Sequence, residues 1–267
     1  TGKVIEKVIR QIGKPPAKFA FIVTGSEGRK EQTLNTDQDN GIIYEDKANE
    51  DREMVREYFL DFARKVSDDL NTIGFEYCKG GFMASNPKWT HSLSHWKRNY
   101  TQWIEKSLPE SAMNFSTFFD FRFIYGDDAI VRELKTFIKE KLASPNQLFF
   151  AHIAKNALQY EPPLTFFKRI KTQTIGKSEV FDIKTAMSPI VDLVRVYALE
   201  NQLEIENTGE RMKKLKEIGI FTQQQYNEMH QSYYYLMALR LKNQANQINI
   251  DKKHPDNYVE ISKLTKI

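Results

Sequence analysis

A short apolar strand that leads into a glycine turn is the feature that most constrains how this chain can fold. Phe19–Val23 carries five apolar residues in succession, which is typical of a strand buried on both faces. Gly25-Ser26 and Gly28 then indicate a tight turn, and a second apolar run follows at residues 42–44. The sequence therefore predicts two core strands of a small sheet, with the polar segment between them at one edge.

Two aspartates separated by one residue end this polar segment. Because alternate residues of a strand point to the same face, Asp37 and Asp39 are expected to present their carboxylates side by side. Adjacent carboxylates repel each other unless a cation lies between them, and hard oxygen ligands favour Mg²⁺ or Mn²⁺. Such a cation would bridge the phosphates of a nucleotide and stabilise charge on a leaving pyrophosphate.

The glycine turn has the properties of a phosphate-binding loop. Gly25 lacks a side chain, so backbone N–H groups can approach a phosphate, and the Ser26 hydroxyl can donate to it. Arg29 adds a planar donor suited to phosphate. The Gly-Lys-Ser/Thr sequence of a P-loop is absent, and the glutamate and flanking helices of a calcium-binding loop are not found around residues 37–41.

The order of these residues resembles a known family. The pattern Gly-Ser-x-Gly-Arg-x-Glu-Gln at residues 25–32, followed by Thr-Asp-Gln-Asp-Asn at residues 36–40, is similar to the DUF294 nucleotidyltransferases. These are related to the bacterial PII-protein uridylyltransferase within the polymerase-beta-like superfamily. Further landmarks of the resemblance lie at residues 78–89, 118–126, 162–164, 182–184 and 239–241. The resemblance therefore extends over nearly the whole chain.

The resemblance implies an α+β fold in two parts. A small mixed sheet with flanking helices, of the nucleotidyltransferase type, would be followed by an all-helical bundle that serves as the substrate-binding domain. Helical periodicity does dominate after Asp128, and we place the boundary between residues 1–143 and residues 144–267. In this family the unit commonly follows a cyclic-nucleotide-binding-like domain and a CBS pair, so we expect these domains upstream in the full-length chain.

The resemblance also implies roles for individual residues. Asp37 and Asp39 would hold the metal and take part in catalysis. The nucleotide site would comprise Gly25, Ser26, Gly28, Arg29, Gln38 and Asn40. Active members of the superfamily place a third carboxylate on a later strand, and here Glu76 and Asp120 are both candidates. The sequence leaves the choice between them open.

The expected reaction transfers a nucleoside monophosphate from an NTP, with UTP as one candidate, to a hydroxyl group, and it releases pyrophosphate. The acceptor would be a small molecule or a protein, such as a regulatory protein. The alternative is a catalytically degenerate domain that senses nucleotide or acts as a scaffold, which follows if no third carboxylate completes the site.

Composition excludes other classes of function. The net charge of +4, from 39 basic and 35 acidic residues, gives no extended basic track, so no nucleic-acid partner is expected. No apolar run approaches the ~18 residues of a membrane span. The single cysteine, Cys78, fits a reducing cytoplasmic setting and is predicted to be a small buried apolar residue. His91 and His95 are predicted to be exposed or capping residues rather than a metal pair.

Overall fold

The computed structural model describes residues 1–47, 51–106, 117–143, 147–159, 172–176 and 178–263. The chain forms two compact units. One comprises Thr1–Glu31 and Thr36–Phe149, and the other comprises Gln32–Asn35 and Phe150–Ile267. Each unit has its own apolar core. The first unit ends a few residues beyond the predicted boundary near residue 143.

The first unit is built on a mixed β-sheet. Its strands are β1 (Phe19–Val23), β2 (Asp37–Gln38), β3 (Asn40–Tyr44), β4 (Glu76–Tyr77), β5 (Thr90–Ser92) and β6 (Arg122–Gly126). Four of them form a sheet in the order β5-β3-β1-β6, in which β1 runs antiparallel to both neighbours and β3 runs parallel to β5. Every residue of β1 and β3 is buried, which confirms the two predicted core strands.

Helices flank this sheet, and the last of those named below continues into the second unit. The helices assigned up to residue 159 are α1 (Gly2–Ile12), α2 (Gly25–Gly28), α3 (Arg52–Thr72), α4 (Leu93–Lys106), α5 (Asp128–Ala143) and α6 (Gln147–Gln159). The apolar side of α3 packs on β1 through aromatic rings, with Phe59 and Phe62 both within 5.5 Å of the Phe19 ring. The helical periodicity of the sequence predicts α1, α3, α4, α5 and α6 to within a few residues of these bounds.

A second aromatic cluster fills the other side of the core. Trp89, Trp96 and Trp103 are at most 8% exposed, and all three rings lie within 6.1 Å of the Phe118 ring. Phe118 therefore packs in the core instead of continuing a strand. The aromatic strand suggested by the run at 115–125 begins only at Arg122, and residues 107–116 lie outside the described residues.

Two further strands make a small parallel pair beside the main sheet. β2 pairs with β4, with Asp37 opposite Glu76 and Gln38 opposite Tyr77. The sequence suggests a longer strand over residues 76–83, but the chain turns back after Cys78, whose carbonyl accepts from the N–H of Gly81. Gly81 has φ of 69°, a conformation that glycine adopts without steric cost.

The second unit has a helical core, as the sequence predicts. Its helices α7 (Ile183–Glu200), α8 (Thr208–Glu217) and α9 (Gln223–Asn249) pack through Val194, Met212 and Tyr233, which are at most 2% exposed. Side chains cap all three N-termini: Asp182 on α7, Asn207 on α8 and Thr222 on α9. The hydroxyl of Thr222 completes a capping box with Gln225.

The second unit also contains a sheet that the sequence does not predict. Strands β7 (Gln173–Ile175), β8 (Ser178–Asp182) and β9 (Tyr258–Glu260) form an antiparallel sheet in that order. Two of these strands have only three residues, and β7 is exposed throughout, so an alternating apolar pattern is too short to detect. Among the described residues of the whole chain, no helix is both long enough and apolar enough to cross a membrane.

Candidate active site

The predicted glycine turn is a single turn of helix, α2, at the end of β1. Thr24 joins the turn to the neighbouring strand, because its N–H donates to the Asp39 carbonyl at 2.9 Å. The first bond inside the turn runs from the Gly28 N–H to the Thr24 carbonyl, so the N–H groups of residues 25–27 have no acceptor within the helix. Ser26 is partly exposed, which leaves its hydroxyl able to reach a ligand.

Gly25 lies directly against the Asp39 carboxylate. A Cβ at this position would stand 2.7 Å from Asp39 Oδ2, closer than ordinary contacts allow. The φ of Gly25 is also positive, at 57°, where side chains other than glycine are strained. The backbone conformation therefore favours glycine, and a larger residue would also displace the Asp39 carboxylate.

Three potential ligand groups meet at the edge formed by β2 and β4. Asp37, Asp39 and Cys78 each offer one ligand atom, and these atoms lie within 4.8 Å of one another. All three residues are partly buried. The two carboxylates therefore share one face, as the i, i+2 spacing predicts.

Cys78 is the member of this group that sequence reasoning missed. It is partly exposed rather than buried, and it follows the paired residues of β4 by one position, opposite Asp39 if the register continues. The pKa of the Cys78 thiol is raised to about 11. Burial is the main cause, and the nearby charge of Asp39 and a hydrogen bond between Cys78 and Asp39 add to it. The thiol is therefore protonated at neutral pH. The register between β2 and β4 is the signal that brings it here, and it cannot be read from local sequence.

Neither candidate for the third carboxylate belongs to this group, which is the sole one of its kind in the described part of the chain. Glu76 is exposed and stands opposite Asp37 in the parallel β2–β4 pair, so both side chains are on the same face. Asp120 is fully buried and bound by Arg29. The catalytic roles of Glu76 and Asp120 stay predictions, and their surroundings differ sharply.

Arg29 lies in a buried ionic cluster on the other side of the turn. Its guanidinium donates from Nε to Glu31 Oε2 at 2.8 Å and from Nη1 to Asp120 Oδ2 at 2.9 Å. The exposed fractions of the three side chains are 13%, 5% and 0% for Arg29, Glu31 and Asp120. Burial opposes the positive charge of Arg29, but Asp120 and Glu31 raise its pKa above the usual value. The predicted contact of Arg29 with nucleotide stays a prediction, whereas its two ionic contacts hold the chain after the turn.

The last part of the turn is fixed by close backbone contacts. A Cβ on Gly28 would collide with the backbone carbonyl oxygen of Asp120, so glycine is required for this approach. Arg122 donates to the carbonyl of Glu27 at 2.9 Å and so satisfies an acceptor at the end of the short helix. Gly28 and Arg29, both predicted to belong to the nucleotide site, therefore position the turn against β6 and the segment that precedes β6.

Gln38 and Asn40 point away from the aspartates and hold the segment that carries Cys78. Gln38 is 1% exposed, and its amide donates to the carbonyls of Ser67 and Phe75, each at 2.9 Å. Asn40 is 2% exposed, and its side-chain oxygen accepts from the Ala84 N–H at 2.8 Å. In these contacts Gln38 and Asn40 bind backbone groups and so support the site indirectly. Their direct contact with nucleotide stays a prediction.

His91 and His95 form a separate cluster. Their rings are stacked with centroids 3.6 Å apart, and both residues are partly buried, so neither is simply exposed. The pKa of His91 is lowered to about 3. Burial is the main cause, and the charges of His95, Arg56 and Arg98 add to it. Stacked rings do not converge on one ion, and no metal-binding group within the described residues includes them.

This arrangement defines a class of protein. A mixed sheet with flanking helices places a short glycine turn beside a pair of carboxylates, which is the arrangement expected of a nucleotidyltransferase domain. Two oxygen ligands on one face fit a hard divalent cation.

Comparison with known families agrees with that class. Residues 1–110 match the family described as "Putative nucleotidyltransferase DUF294", and residues 147–267 match the family described as "Putative nucleotidyltransferase substrate binding domain". The chain belongs to the DUF294 nucleotidyltransferase family, with both of its domains present. The comparison with curated proteins gives no match.

Proposed function

We propose that the protein is a divalent-cation-dependent nucleotidyltransferase, which transfers a nucleoside monophosphate from an NTP to a hydroxyl group and releases pyrophosphate. The observation that carries the proposal is the contact of the Gly25 backbone with the Asp39 carboxylate, with Asp37 on the same face. A phosphate-binding turn and a cation site are useful to this reaction only when they are adjacent.

Each part of the site has a defined task in this reaction. Asp37 and Asp39 would hold Mg²⁺ or Mn²⁺, which, when bound, offsets the charge of the phosphates and of the leaving pyrophosphate. The N–H groups of Gly25 and Ser26 and the Ser26 hydroxyl would bind phosphate oxygens at the start of the turn. The buried Arg29 cluster would keep the turn in place while the substrate binds.

The acceptor oxygen must lose its proton as it attacks the α-phosphorus. The new oxygen–phosphorus bond forms while the bond to the pyrophosphate oxygen breaks. We propose Glu76 over Asp120 as the base, because Glu76 is exposed on the face of Asp37, whereas Asp120 is buried against Arg29. UTP and a hydroxyl group of a regulatory protein are the first substrates to test, in view of the resemblance to PII-protein uridylyltransferase.

The test is a comparison of two aspartate variants. Pyrophosphate release would be measured with each of the four NTPs, Mg²⁺ and candidate acceptors. We expect Asp37→Ala to abolish release, because the cation loses one of its two carboxylates. Asp61→Ala is the matched control, because the Asp61 side chain is 44% exposed and pairs with Arg64 and Lys65 of the same helix, and it should keep full activity. Undiminished activity in Asp37→Ala would overturn the assignment.

A nucleotide sensor without turnover is the second candidate, and one observation favours it. The third member of the ligand group is the Cys78 thiol, and neither Glu76 nor Asp120 belongs to that group. Calorimetric titration of each NTP with and without Mg²⁺ separates the two functions. Metal-dependent binding without pyrophosphate release in the presence of acceptors would support the sensor, and release would support the enzyme.

A further inference from the structure

The ligand set at the β2–β4 edge contains one group that Mg²⁺ does not favour. Mg²⁺ binds oxygen in proteins, whereas thiolate sulfur selects softer ions such as Zn²⁺. We propose that Asp37, Asp39 and Cys78 together form a binding site for a thiophilic divalent cation of the Zn²⁺ class. Binding of this cation is argued from the geometry alone, but the competition with Mg²⁺ that we infer from it rests on the proposed function.

The distances suit a single ion. Zn²⁺ binds thiolate sulfur at about 2.3 Å and carboxylate oxygen at about 2.1 Å, so ligand atoms around one tetrahedral ion lie about 3.5 Å apart. The three ligand atoms of Asp37, Asp39 and Cys78 already lie within 4.8 Å of one another. The three atoms are therefore within reach of a single ion after a change of about 1 Å in their separation.

The backbone on both sides of the group is held firmly. The parallel pairing of β2 and β4 fixes the register between the two segments. The turn after Cys78 is closed by the bond from Gly81 N–H to the Cys78 carbonyl at 3.0 Å, and the Cys78 N–H lies 3.3 Å from Met83 Sδ. Gln38 ties the start of β4 to α3 through its bonds to Phe75 and Ser67. The ligands are therefore largely organised before a cation arrives, which lowers the entropic cost of binding.

The chemistry of binding is a ligand exchange. The Cys78 thiol releases its proton to the buffer as the sulfur–metal bond forms, and no group is oxidised or reduced. Two carboxylates and a thiolate leave one tetrahedral position of the ion for water or for a phosphate oxygen. A Zn²⁺ ion held this way occupies the position at which Mg²⁺ would meet the nucleotide phosphates, so it would inhibit transfer.

Cd²⁺ titration followed by ultraviolet absorption tests the site directly. Cd²⁺ bound to a thiolate gives a charge-transfer band, and Cys78 is the only cysteine in the chain, so any such band reports this residue. We expect one Cd²⁺ per chain with a thiolate band. Cys78→Ser should remove the band, and Asp39→Asn should keep the thiol but weaken binding by about tenfold or more. Asp61→Asn is the control and should bind Cd²⁺ like the unmodified protein.

Two outcomes would overturn the inference. Equal Cd²⁺ affinity in Asp39→Asn and the unmodified protein would mean that a thiol binds the ion without the carboxylates. Cd²⁺ binding without a thiolate band would mean that the carboxylates bind it without the thiol. Circular dichroism of each variant shows whether it is folded, so a loss of affinity is not mistaken for unfolding.

A second measurement keeps the inference separate from the proposed function. Zn²⁺ should inhibit Mg²⁺-dependent pyrophosphate release, and Cys78→Ser should need about tenfold more Zn²⁺ for the same inhibition. If no NTP supports release but Cd²⁺ binds through Cys78, the proposed function fails and the cation site stands. If release occurs but Cd²⁺ gives no thiolate band, the cation site fails alone.

Discussion

Carboxylates lie on both sides of the Gly25–Gly28 turn, and the two groups are built in opposite ways. On one side Asp37 and Asp39 are partly exposed beside the Cys78 thiol. On the other side Glu31 and Asp120 are buried, and each contacts the guanidinium of Arg29. In the function that we propose, the first group binds a cation from solution, whereas the negative charge of the second is compensated by the guanidinium of Arg29.

The difference in burial between the two carboxylate groups indicates what each contributes to the protein. A buried charge is tolerated only when a partner and hydrogen bonds compensate for lost solvation, so the Arg29 cluster makes the turn depend on distant residues. A partly exposed pair keeps part of its hydration, and a ligand can reach it from solution. Burial, rather than residue type, therefore separates the carboxylates that hold the fold from those that can bind.

The largest expected effect comes from the same substitution made on each side of the turn. Asp120→Asn should lower the free energy of unfolding by about 3 kcal/mol, because Arg29 loses the charge of one of its two buried partners. Asp39→Asn should leave stability within about 0.5 kcal/mol, because the side chain is partly exposed. Urea unfolding of both variants measures this. Equal losses of stability would remove the distinction between the two groups.

The glycines at the two ends of the turn give the next largest effect. Gly28→Ala should destabilise by about 2 kcal/mol, because the new methyl group meets the backbone of Asp120, which cannot move aside. Gly25→Ala should cost about 1 kcal/mol of backbone strain and displace the Asp39 carboxylate, which can rotate. Thermal unfolding measures the stability of each variant, and Cd²⁺ titration measures the site. A Gly25→Ala variant with unchanged Cd²⁺ affinity would contradict the close contact with Asp39.

The smallest effect concerns pH and should come from the histidine pair rather than from either carboxylate group. The pKa of His91 is about 3 in the folded protein, below its ordinary value of about 6.5. Between these values the unfolded chain binds the proton more readily, so stability should fall as pH decreases from about 6.5 towards 3. Between about pH 6.5 and 5 unperturbed carboxylates remain largely ionised, although burial raises the pKa of Glu27, so a variant of His91 is needed to assign the effect.

The comparison variant for this pH effect is His91→Gln, which removes the titrating group but keeps a polar side chain. Its free energy of unfolding should change less between pH 6.5 and 5 than that of the unmodified protein. Urea unfolding at several pH values gives, for each protein, the slope of the free energy of unfolding against pH. Identical slopes would show that His91 does not carry the effect and would direct attention to the carboxylates around the turn.

Local patterns in the sequence predict much of this molecule correctly. The apolar run of β1 gives a buried strand, and the helical periodicity gives α3, α4, α5, α7, α8 and α9. The spacing of Asp37 and Asp39 places their carboxylates on one face. Strands β7 and β9 of the second unit are not predicted, because three residues are too few to show an alternating apolar pattern.

The sequence by itself determined the long helices, the two core strands, the carboxylate pair and the family, because each depends on residues that are close along the chain. Only the tertiary structure decided which partners these residues have. Arg29 pairs with Asp120 across 91 positions, and Cys78 reaches the aspartates through the register of two short parallel strands. Such contacts depend on how separate segments pack. The meeting of the Cys78 thiol with Asp37 and Asp39 is therefore a property of the fold.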